Sequence, residues 1–211
     1  MMSSATQYPA TLSVDYQNEP RDKVSVAFRL LMIIPIAIIL SLISGGTYEY
    51  TVDQITYSAS NAGGIIVMAT VFMILVQQKY PKWWFDWNLA LSRFCYRFIS
   101  YLALLRDEYP STDEEQSVHL NLVYPDVKNN LNRWMPLFKW FLAIPHYIIL
   151  FFLGLAAFMC TVFAWFTILF TGKYPKSLFD FVVGVMRWGL RVSAYATLLI
   201  TDDYPLFSLE S

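Results

Sequence analysis

The chain has 211 residues, of which 56% are hydrophobic, 18% aromatic and only 15% charged, a balance far from that of soluble domains and suited to surface that sits in lipid. A net charge of −1 and a pI near 6.1 provide no basic field to hold nucleic acid. Cys95 and Cys160 have neither CxxC spacing nor clustered histidines, which argues against a disulfide framework or a metal site and makes both packing residues.

Residues 1–25 are polar and mixed in charge and lack the basic start, apolar run and small-residue cleavage site of a secretory signal, so they read as a cytoplasmic N-terminal segment. Within them Leu12, Val14 and Tyr16 alternate with the period of a strand, as do Leu120, Leu122 and Tyr124 later on, and the two runs are predicted to pair on the cytoplasmic face.

The run Val26–Ser44 holds 19 residues with one charge, Arg29, near enough to its start to snorkel toward headgroups. A second apolar run, Ala62–Val76, is short and takes Gln77 and Gln78 as its interface, which predicts a membrane hairpin 26–44/62–78. Residues 45–61 between them, with Glu49 and Asp53 and no lysine or arginine, read as an outer loop. The stretch 83–105 is long enough to span but carries Asp86, Arg93 and Arg97, and an arginine at mid-membrane costs about 2.5–3.5 kcal/mol. An amphipathic helix in the interface, anchored by Trp83, Trp84 and Trp87, is the better reading. The acidic segment 111–117 is an exposed linker.

Trp140–Phe170 is a tract of 31 apolar residues interrupted only by His146 and small polar groups. As a single helix it measures about 46 Å at 1.5 Å per residue, against a bilayer core of about 30 Å. All 15 lysines and arginines can be placed on one side of the membrane if this tract folds back. The sequence therefore predicts a second hairpin, 137–153/155–171, turning near Gly154, with Trp134 as an anchor before it. An amphipathic helix over 177–199 and a tail over 206–211 complete the chain.

A shift of 94 residues lays Lys79-Tyr-Pro-Lys82 on Lys173-Tyr-Pro-Lys176. It also matches Phe85-Asp86 to Phe179-Asp180, Arg93 and Arg97 to Arg187 and Arg191, and Tyr101 to Tyr195. Upstream, Ile34-Pro35 matches Ile144-Pro145, and Asp107-Glu-Tyr-Pro110 echoes Asp202-Asp-Tyr-Pro205. The expected architecture is a mainly α integral membrane protein: an internal repeat of transmembrane hairpin plus interfacial helix (26–110 and 118–205), with short cytoplasmic strands.

The second half, through Arg133-Trp-Met-Pro-Leu137, Ile144-Pro-His-Tyr147, Gly172-Lys-Tyr-Pro175, Phe179-Asp-Phe181 and Arg191-Val-Ser-Ala-Tyr195, resembles the bacterial family DUF4389, a domain of unknown function. The first half is looser, with Ile36 where His146 stands. The resemblance implies a small multi-span bacterial membrane protein and supplies no activity, cofactor or catalytic residue.

His146, part-way into the bilayer, is the sharpest intramembrane polar candidate; it either takes a metal, porphyrin or quinone or hydrogen-bonds a neighbouring helix, and the lack of a second ligand nearby favours the latter. Arg93, Arg97, Arg187 and Arg191, with Ala90 and Gly184 leaving room beside them, either clamp lipid phosphates or form solvated faces. No GxSxG, HExxH or phosphate-cradling glycine loop occurs, and His119 stands alone in its strand. The expected protein is thus not an enzyme and needs no cofactor. It is an accessory or scaffold subunit of the bacterial inner membrane, multi-pass with both termini cytoplasmic, whose partners are membrane lipids and another membrane protein or a second copy of itself. Lipid binding or transport through the arginine stripes is the alternative.

Overall fold

The computed structural model describes residues 8–44, 47–52, 55–60, 63–112 and 114–210. Strand β1 (Ala10–Val14) leads to helices α1 (Lys23–Met32) and α2 (Ile34–Ser44), strands β2 (Thr47–Val52) and β3 (Ile55–Ser60), helix α3 (Gly63–Phe72) with a π-helical turn (Met73–Gln77), and helix α4 (Lys82–Leu102). Strand β4 (Val118–Leu122), the single-turn helix α5 (Val127–Asn130) and helices α6 (Pro136–Leu142), α7 (Ile144–Thr171) and α8 (Lys176–Ala196) follow. The protein is mainly helical.

Two prolines shape the apolar tracts. Proline has no N–H to donate and its ring crowds the carbonyl four residues back. Pro35 therefore stands in the first turn of α2, with Ile33 separating it from α1, and Pro145 stands likewise in α7, with Ala143 separating it from α6. The run 26–44 is accordingly two short helices joined at Ile33.

The predicted hairpin at Gly154 does not form. Helix α7 runs unbroken for 28 residues, about 42 Å at 1.5 Å per residue, and Gly154 lies inside it. The prediction rested on the length of the tract and on placing all 15 lysines and arginines, Lys139 among them, on one side. Lys139 is instead fully buried and sits 2.6 Å from Asp202, so it is neutralised inside the protein and reports no loop. Among the described residues α7 is the only helix long and apolar enough to cross a membrane, and just 6% of its most apolar window is buried.

The region expected as an outer loop contains a two-stranded antiparallel sheet, β2 with β3, in register Thr47↔Ser60 through Val52↔Ile55. Its strands are rich in threonine, tyrosine and other β-formers, a strand signal that its polarity obscured.

Strands β1 and β4 pair antiparallel, Ala10↔Leu122 through Val14↔Val118, as the period-two pattern predicts. Backbone bonds from Asp15 to Ser117 and from Val123 to Pro9 close the ladder at its two ends. Hydrogen-bonded pairs alternate with non-bonded ones in such a ladder, so Leu12 and Leu120 form a non-bonded pair whose carbonyls point out at opposite edges. Ala10, Leu12, Val14, Val118, Leu120 and Leu122 turn inward to a core shared with Phe85, Phe179, Val182 and Leu190 of α4 and α8.

Helices α4 and α8 begin 94 residues apart (82 to 176) and end 94 apart (102 to 196), within a few residues of the predicted ranges. Their settings differ. Trp83 and Trp87 of α4 are exposed, whereas α8 is buried along most of its length, packed against α7 and β1. It is an internal helix of the protein.

The strands cross over between halves. The Tyr124 hydroxyl, just after β4, donates to the Tyr80 carbonyl, and its ring meets Phe85 edge-on at 5.2 Å. The Tyr16 hydroxyl, just after β1, donates to the Tyr174 carbonyl, and its ring meets Phe179 edge-on at 5.0 Å. Each strand thus packs on the long helix of the opposite half.

Candidate functional site

The four arginines singled out by the sequence come together around the β1–β4 sheet. Arg93 Nε donates to the Leu120 carbonyl at 3.0 Å and Arg187 Nε to the Leu12 carbonyl at 2.9 Å, so each caps one free edge of the sheet at its central pair. One turn further on, Arg97 donates to the Ser111 carbonyl at 2.7 Å and Arg191 to the Ser208 carbonyl. The arginines therefore fasten both strands, the linker and the C-terminal tail onto α4 and α8. All four line a groove of ≈ 630 Å³, with Glu115 and Glu210 also on its wall.

None of the four arginines forms an ion pair with a described residue. The Nε of Arg97 and of Arg191 is buried without a hydrogen-bond partner. Burial pulls the Arg191 guanidinium below its ordinary pKa; Tyr8 opposes the shift and the neighbouring Arg187 charge adds to it. The notch that Gly184 was expected to leave for a phosphate is filled by the protein's own tail: a Cβ at Gly184 would lie 2.9 Å from Leu209 Cβ and 3.0 Å from its carbonyl oxygen.

His146 is fully buried and does hydrogen-bond a neighbouring helix, for Trp188 Nε1–H of α8 donates to its Nδ1 at 3.0 Å. A neutral imidazole with Nδ1 accepting carries its proton on Nε2, and that Nε2 is buried without a partner. Phe207 stacks on the ring at 4.0 Å and Tyr204 leans on it at 4.8 Å. The tail thus closes an aromatic cage over the histidine. At the matching place in the first half Ile36 is simply buried.

Residues 133–208 match the family described as Domain of unknown function (DUF4389). The DUF4389 segment takes in His146, Trp188, Tyr204 and Phe207 together with Arg187 and Arg191, and leaves Arg93, Arg97 and both strands outside it. No curated protein and no solved structure matches the chain.

Of the expected anchors, Trp83, Trp87 and Trp134 are exposed, while Trp84 is half-buried and donates from Nε1 to Thr70 Oγ1 at 2.9 Å. Among the described residues no three His, Cys, Asp or Glu side chains converge. Sequence reasoning missed two buried ion clusters. Arg29, taken as a snorkelling charge, is 2% exposed and joins Arg21 at Asp107; Lys139 joins Asp202. Arg29 lies over the Tyr101 ring at 4.3 Å and Lys139 over the Tyr195 ring at 5.2 Å. The echo of Asp107-Glu-Tyr-Pro110 in Asp202-Asp-Tyr-Pro205 was the available signal.

Proposed function

We propose that the protein is a non-catalytic accessory or scaffold subunit of the bacterial inner membrane, built from two copies of one unit, that docks on a larger membrane assembly through the outer faces of α6 and α7. The observation that supports this reading is the apolar surface those helices leave uncovered: Trp140, Phe141, Phe151, Phe152, Phe158 and Phe163 are all exposed. Contiguous apolar surface of this kind marks contact with a membrane or a protein, and aromatic residues are the enriched interface type. In this reading α1, α2 and α3 are embedded alongside α7, and both termini lie in the cytoplasm. The contacts repeated at an offset of 94 support the two-copy origin. Purification in mild detergent followed by mass spectrometry tests the proposal, with a stoichiometric membrane-protein partner expected; a chain that always runs alone sinks it.

A lipid-binding or transport role is the second reading. An apolar cavity of ≈ 590 Å³ lined by Leu30, Gly154, Phe158, Trp165 and Met186 favours it, because such a cavity suits an acyl chain. A monomer that keeps a tightly held lipid would support this reading over the scaffold.

A further inference from the structure

We infer that the groove around the β1–β4 sheet binds a phosphate-bearing ligand, held between Arg93 and Arg97 at one edge and Arg187 and Arg191 at the other. The inference stands apart from the scaffold reading, since it concerns the sheet and not the outer faces of α6 and α7.

Each guanidinium has five N–H donors in a planar fork that matches a phosphate bidentately. Every one of the four spends donors on a backbone carbonyl, and those bonds fix the forks in place without neutralising them. No described carboxylate pairs with any of them. Elsewhere in the same protein buried cations are matched: Arg29 has Asp107 at 2.5 Å and Lys139 has Asp202 at 2.6 Å. The groove differs in one respect, the absence of a described carboxylate partner; buried Nε atoms without a hydrogen-bond partner occur at Arg21 and Arg29 as well. Four arginines face two glutamates there, Arg191 is only 5% exposed, and its Nε and that of Arg97 lack partners. Arg191 is buried, Arg97 and Arg187 are half-buried and Arg93 is exposed; a like charge held beside buried Arg191 raises the free energy of an empty site, and a phosphate that accepts from these forks relieves it.

Phosphate chemistry has two sources, a lipid headgroup or a soluble phosphate, and the test separates them. Full-length protein in neutral detergent is titrated calorimetrically with pyrophosphate. In parallel, native mass spectrometry reads retention of phosphatidylglycerol against phosphatidylcholine from mixed micelles. The variant R97Q/R191Q leaves both sheet-edge bonds intact and is expected to weaken binding about tenfold or more, with R97K/R191K recovering part of the loss. The variant E115Q/E210Q touches no arginine bond and is expected to tighten binding at least about twofold, an effect that a purely structural role for the arginines does not produce. Selective retention of phosphatidylglycerol assigns the site to headgroups, and binding of pyrophosphate alone assigns it to a soluble phosphate; either supports the inference. Binding of neither probe, equal affinity in R97Q/R191Q, or no tightening in E115Q/E210Q overturns it.

Discussion

Arg29 and Asp107 form an ion pair, 2.5 Å between Nη2 and Oδ1, that ties helix α1 to the segment after α4 across 78 positions of sequence. Among the described residues Asp107 is the one carboxylate paired with these two buried guanidiniums, with Arg21 at 3.6 Å. Removing one partner of a buried pair leaves a charge uncompensated and costs about 3–5 kcal/mol. Asp107→Ala is therefore expected to lower the unfolding free energy in detergent by about that much. Arg29→Met with Asp107→Ala should cost less than the single aspartate change, because it removes one of the stranded charges; a double variant less stable than Asp107→Ala argues against the pair as the source of the effect.

Arg93 and Arg187 cap the two edges of one sheet, so their effects should be coupled. Losing a hydrogen bond to a charged group costs about 1.5–3 kcal/mol. Each of Arg93→Met and Arg187→Met is expected to destabilise by that order, and the pair by less than the sum, because a sheet freed at one edge gives less purchase at the other. Strict additivity in thermal or denaturant unfolding means that the two edges act independently.

Glu108 organises the linker: its carboxylate accepts from the Ser117 N–H at 3.0 Å and the Ser117 hydroxyl at 2.5 Å, and pairs with Arg106 at 2.6 Å. Partial burial pushes this carboxyl up, but the Ser117 bonds and Arg106 together bring it down to about 2 from its ordinary 4.5. With the folded value below the unfolded one, the stabilisation is complete above pH 4.5 and is lost as the pH falls toward 2. The melting temperature should drop across that window in the wild type, and the drop should shrink in Glu108→Gln. The side chain is partly exposed, so the effect is screened and modest. Parallel profiles for both proteins would remove Glu108 from the account.

The C-terminal tail reaches His146 because Gly184 lets Leu209 settle against α8. Gly184→Ala puts a methyl group 3.0 Å from the Leu209 carbonyl oxygen, and a backbone atom cannot give way as a side-chain tip can. The expected result is a displaced tail, read as faster carboxypeptidase digestion and as modification of His146 by diethyl pyrocarbonate. Unchanged rates for both would show that the tail accommodates the methyl.

Patterns with a short period were legible in the sequence. Leu12, Val14 and Leu120, Leu122 gave the sheet pairing, and the spacing of Arg93, Arg97, Arg187 and Arg191 marked the residues that converge on the groove; Pro35 and Pro145 were legible as a repeated pair and not as the places where the helices break. What failed needed partners far away in sequence. Arg29 and Lys139 looked like solvated topology signals because Asp107 and Asp202 lie 78 and 63 positions away (107 − 29 and 202 − 139). The amphipathic pattern of 177–199 fits an interface as well as an internal helix whose arginines are tied to backbone carbonyls, and only β1 and the tail decide between them. Trp188, Tyr204 and Phe207 carry no local mark that they enclose His146.

Gly172, and not Gly154, is the glycine whose backbone conformation the fold requires. Gly154 sits within α7 with nothing within 4 Å of where a Cβ would be. A glycine inside a helix is destabilising by roughly 0.5–1 kcal/mol relative to alanine. Gly154→Ala is thus expected to raise stability by up to about that amount. Gly172 ends α7 at φ +75°, donates to the Ile168 carbonyl at 2.7 Å and accepts from Arg21 N–H at 2.9 Å. A left-handed conformation costs a residue with a Cβ roughly 1–2 kcal/mol, and a β-branched side chain is a worse fit still. Gly172→Val should therefore be the more damaging of the two valine changes, lowering the melting temperature in detergent while Gly154→Val changes it little. The opposite order is what a turn at Gly154 requires, so this pair of variants discriminates a continuous α7 from a helical hairpin in the membrane.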